Sequence, residues 1–80
     1  MNWPTEQTLR ALLELPGVSG PDQREVERYL DNPRRWQSDY VSSNASDRAK
    51  FDRNLAGEML QSLKRIVQAH STQLVERGAL

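Results

Sequence analysis

The chain has 80 residues, no cysteine, and eleven Lys and Arg balancing eleven Asp and Glu, so it is one domain at most. Lacking cysteine, it has no disulfide framework, thiolate metal site or thiol nucleophile. Lacking a basic excess, it has no general attraction to nucleic acid or to an anionic membrane. Leu, Ile, Val and Phe supply 17 residues, enough for a thin core only. The opening Met1-Asn2-Trp3-Pro4-Thr5-Glu6 carries neither the basic nor the apolar stretch of a secretion signal, and nowhere do about 18 apolar residues follow one another. These features predict a cytoplasmic chain with no membrane span, in which Asn44-Ala45-Ser46 is a polar loop and not a glycosylation acceptor.

In chain order, the first periodic stretch covers residues 4–15. Leu9, Leu12 and Leu13 recur at i, i+3, i+4, and Pro16-Gly17 ends the pattern. Asn2 is the candidate cap, with Trp3 and Pro4 in the first turn. Ser19-Gly20-Pro21-Asp22 opens a second helix over 21–31, where Val26, Tyr29 and Leu30 repeat the helical spacing. Pro33 ends it, because the residue before a proline is pushed out of helical geometry. A short third helix over 33–41 has Asn32 as cap and presents Trp36, Tyr40 and Val41. Ser42 to Ser46 reads as a loop whose hydroxyls and amide compete for backbone hydrogen bonds, with Ser46 capping the next helix.

The strongest signal covers 47–75, where Phe51, Leu55, Met59, Leu63, Ile66, Val67, His70 and Leu74 keep a helical period. A continuous helix of this length is about 43 Å long, more than an 80-residue domain needs, so part of it should be covered by something else. Gly57 is the expected kink or break, and residues 76–80, with Gly78, the expected cap or frayed tail. The fold class predicted is therefore all-α: three or four helices, an N-terminal helical hairpin packed on a long C-terminal amphipathic helix.

One segment has the form of a motif. Thr8-Leu9 through Gly17-Val18-Ser19 to Val26 resembles a DNA-binding helix-turn-helix. Leu13 stands where that family has a small residue, Gln23 where it has an aliphatic, and the would-be reading helix carries Asp22, Glu25 and Glu27. Leu15-Pro16-Gly17-Val18 also resembles the helix-hairpin-helix, with Ser19 in place of the second glycine. Pro16-Gly17-Val18-Ser19-Gly20 is similar to the N-terminal segment of metal-dependent aminopeptidases, but the chain ends before any metal ligands of such an enzyme. A tight turn followed by a serine cap explains each residue without a ligand. If Gly17 has positive φ, Gly17→Ala should cost more than about 1 kcal/mol.

No spacing supplies a metal site or a catalytic constellation around His70, the single histidine, so no cofactor, metal or enzymatic activity is expected. The apolar arc of the last helix covers about half its circumference, wider than the stripe needed to cover one small core. Leu60 and Val67 lie at its edge, with Arg53 and Lys64 just beyond. The sequence thus predicts a small regulator or adaptor that binds a protein partner, or itself as a homodimer, through Leu60, Leu63, Val67, His70 and Leu74. The alternative is a nucleic-acid-binding regulator using the Gly17 turn or a patch formed by Arg34, Arg35 and Trp36.

Overall fold

The computed structural model describes residues 3–41 and 46–80. Within them the chain forms five helices and no strand: α1 (Glu6–Glu14), α2 (Gly20–Asp31), α3 (Pro33–Val41), α4 (Asp47–Ala69) and α5 (Ser71–Glu76). The all-helical class follows the sequence expectation, with one more helix than expected. Asn2, as a cap, and Ser42 to Ala45, as a loop and glycosylation segment, lie outside the described residues.

Side-chain caps start four of the helices. Thr5 Oγ1 accepts from the Thr8 N–H at 3.2 Å, Ser19 Oγ from the Asp22 N–H at 3.3 Å, and Ser46 Oγ from the Ala49 N–H at 3.1 Å. Each satisfies one of the donors that a helix N-terminus leaves without an internal partner. Asn32 Oδ1 likewise accepts from the Arg35 N–H at 3.3 Å at the start of α3. The cap of α1 corrects the sequence reading, which began the helix at Pro4. Trp3 stands outside the helix, stacks on Tyr29 at 5.0 Å and meets Tyr40 edge-on at 5.8 Å. This indole ties α2 to α3, and offset stacking and edge contacts are the favoured aromatic geometries.

The core is built from Leu9 and Leu12 of α1, Leu15 and Val18 of the following turn, Val26 and Tyr29 of α2, Met59, Leu63 and Ile66 of α4, and Leu74 of α5. The turn is held by its two buried ends, Leu15 and Val18, while Pro16 and Gly17 face solvent. Gly17 does not adopt positive φ, and a Cβ there would meet nothing within 4 Å. The condition for a costly Gly17→Ala change is therefore absent.

The long helix does not run to Val75, and it does not break at Gly57. It passes through Gly57 and ends at His70, whose N–H donates to the carbonyls of Ile66 and Val67 at 3.2 Å. Gly57 lies beside Tyr40, whose Cε2 would stand 3.9 Å from a Cβ at this position, an ordinary van der Waals separation. The bend at His70 turns α5 back onto α1. A straight continuation would carry Leu74 about 16 Å beyond Leu63 along the axis, whereas the bend buries Leu74 completely.

Of the expected cap or frayed tail at Gly78 the structure has the cap, and residues 77 and 79 are held against α1. Gly78, at φ 72°, closes a Schellman motif in which its own N–H donates to the Val75 carbonyl and the Ala79 N–H to the Leu74 carbonyl. Thr8 Oγ1 donates to the Ala79 carbonyl, and Arg77 pairs with Glu14 at 3.7 Å.

Candidate functional site

The residues expected to form an interaction surface divide by environment. Leu60, Leu63 and Leu74 have no exposed surface at all, and Val67 and His70 are half-buried. The first three pack within the chain's own helices, so Leu60 is not at the exposed edge where helical geometry alone put it. His70 sits at the α4–α5 bend, with Nδ1 3.2 Å from Gln73 Oε1.

Large apolar side chains are exposed at both ends of the molecule: Val75 and Leu80 at the C-terminal end, each 58% exposed, and Phe51 and Val41 at the opposite end of α4 and the end of α3. Phe51 is 62% exposed and Val41 74%. Of the residues 47–58 only Ala56 is fully buried, and α3 buries none of its residues completely. Alongside Phe51, one turn further on, half-buried Leu55 enters a cleft of about 310 Å³ that Trp36 also lines, together with Arg28, Asp31, Arg35, Asp39 and Asp52. Helices α2, α3 and α4 thus each contribute to one mixed-charge cleft whose apolar lining is Trp36 and Leu55. Trp36 is fixed in it: its Nε1 donates to the Arg28 carbonyl at 3.4 Å, and the Arg28 guanidinium lies 5.0 Å over the ring.

The Arg34-Arg35-Trp36 segment is split between two clefts. Arg34 lines a wider, polar depression with Trp3, Tyr29 and Gln37, and Arg35 turns to Asp39 at 3.9 Å. Arg28 is similarly engaged, 3.6 Å from Glu25. Within the Trp36 cleft two guanidinium groups face three carboxylates, a balance that gives no excess positive potential for phosphate.

Among the described residues no cluster of His, Asp and Glu is suited to hold a metal ion, and no buried side-chain polar atom lacks a hydrogen-bond partner. No described helix is long and apolar enough to cross a membrane. Sequence reasoning missed the Trp36 cleft because its lining joins Arg28 to Leu55 across three helices. The available local signal was that Trp36 and Asp39, and Asp52 and Leu55, lie three apart on successive helices and therefore share faces. Compared with protein-family models, curated proteins and solved structures, the chain matches none of them.

Proposed function

We propose that this chain is a non-enzymatic protein-interaction module whose docking face is the first half of α4, with the Trp36 cleft beside it. The observation that carries this reading is Phe51, an aromatic side chain 62% exposed on a helix whose second half is packed in the core. Large apolar side chains grouped on a monomer surface mark contact sites for other proteins, and a helix face read at i, i+3 and i+4 is a common way for one protein to engage another. The rim of mixed charge suits specificity in such a contact. The same balance disfavours the nucleic-acid reading, because Asp31, Asp39 and Asp52 stand among the arginines a phosphate would need.

The test is retention of proteins from the native host by the tagged chain, with Phe51→Glu as the comparison bait and two salt concentrations. The expected result is a set of proteins kept by the wild type at both salts and lost by the variant, since apolar docking depends little on salt. Equal retention by both baits would overturn the reading. Binding that collapses between low and moderate salt and is removed by nuclease would favour nucleic acid instead.

A further inference from the structure

One flank of α4, between its buried and its fully exposed faces, carries a continuous stripe. Arg48, Phe51, Leu55, Glu58 and Ser62 follow one another at alternating spacings of three and four, and on an ideal helix they fall within an arc of about 80°. This is the spacing by which two helices pack side by side along a seam. Arg48, Phe51 and Glu58 are exposed and Leu55 and Ser62 half-buried. The apolar pair is central, with a cation before it and an anion after it.

That order makes the stripe complementary to itself. Two copies of α4 run antiparallel about a two-fold axis bring residue i of one opposite residue 106 − i of the other, when the axis passes midway between Phe51 and Leu55. Phe51 then faces the second copy's Leu55, and Arg48 faces the second copy's Glu58, each contact occurring twice by symmetry. Neither Arg48 nor Glu58 forms an ion pair within the chain among the described residues. Phe51 of one copy also arrives beside the Trp36 cleft of the other, because Leu55 lines that cleft. A parallel pairing would set Arg48 against Arg48 and Glu58 against Glu58, so the charges select the antiparallel arrangement.

We infer that the occupant of this face is a second copy of the chain, docked antiparallel through Phe51 and Leu55 and held in register by Arg48 with Glu58. The inference rests on the interaction-module reading and names its partner. Sedimentation equilibrium on the wild type, on Arg48→Glu, on Glu58→Arg and on an equimolar mixture of the two variants tests it, with circular dichroism to show that each remains folded. The wild type should sediment as a dimer, and each single variant should dimerise about tenfold or more weakly, since both symmetric pairs become repulsive. The mixture should recover dimerisation, because the first variant carries a carboxylate at both positions and the second a guanidinium at both, so every pair across the mixed interface is again of opposite charge. A wild type that stays monomeric up to submillimolar concentration overturns the inference, as does a mixture no stronger than its components. A monomer that still retains a different protein in a Phe51-dependent manner would leave the interaction-module reading standing, and a monomer with no such retention would end both.

Discussion

The two halves of α4 share one backbone, one periodicity and similar residue types, yet they lie in different surroundings. Met59, Leu63 and Ile66 of the second half are sealed by α1, α2 and α5. The first half is accompanied by α3, a nine-residue helix with no completely buried residue, and leaves Phe51 outside. A helical pattern therefore states which face of a helix is apolar, but not how far along the axis the chain supplies neighbours to cover it. The first half leaves Phe51 in water, and the second half is taken up by the core.

The largest expected effect comes from placing the same carboxylate in each half. Leu60→Glu puts a charge where no surface is exposed and should cost about 4 kcal/mol or more. That is most of the stability of a small domain, and loss of the far-ultraviolet helical signal at room temperature would show it. In the monomer, at concentrations too low for self-association, Phe51→Glu should change the melting temperature little, because its side chain already meets water. Equal destabilisation by the two would break the contrast between the halves.

Two substitutions of intermediate size sharpen the contrast within the first half, with opposite signs. Ser46→Ala removes the cap of α4 and should lower stability by about 1 kcal/mol. Gly57→Ala replaces a poor helix residue in a helix interior and should raise stability by about 0.5–1 kcal/mol. The new methyl meets Tyr40 Cε2 at an ordinary 3.9 Å, so α3 need not move. Urea unfolding measures both, and a destabilised Gly57→Ala would mean that α3 sits closer to α4 than this contact allows. The smallest effect is expected at Gly17→Ala, which should stabilise by less than about 1 kcal/mol, through the unfolded state alone. A loss above about 1 kcal/mol in thermal unfolding would mean that the turn requires glycine after all.

Much of the fold was legible locally. Ser19, Asn32 and Ser46 read as caps because short polar side chains before an amphipathic run have few other uses for their oxygens, and Pro33 marked the end of α2 by steric exclusion. The errors arose where long-range burial overrode a local preference. Gly57 carries a low helix propensity, but the helix runs through it unbroken, with Ala56 and Met59 buried close on either side. His70 is an ordinary helix residue, but α4 ends at it because Leu74 gains a place in the core. Trp3 was assigned to a helix it leaves in order to stack on Tyr29, 26 positions away in sequence.

The candidate site divides in the same way. Helical geometry implied more apolar arc than a single small core needs, and it assigned the excess to Leu60 and Val67 because angle around the helix is all that periodicity encodes. The choice of Phe51 over Leu60 was made by the position of α3 and by the fold-back of α5, which decide where along α4 water is excluded. Charge order along the stripe from Arg48 to Glu58 is written in the sequence, but its meaning depends on those side chains facing solvent. Composition, caps and period determined that this chain is helical and how its helices begin; tertiary packing decided which apolar residues are consumed inside the molecule and which stay exposed, because burial depends on neighbours distant in sequence.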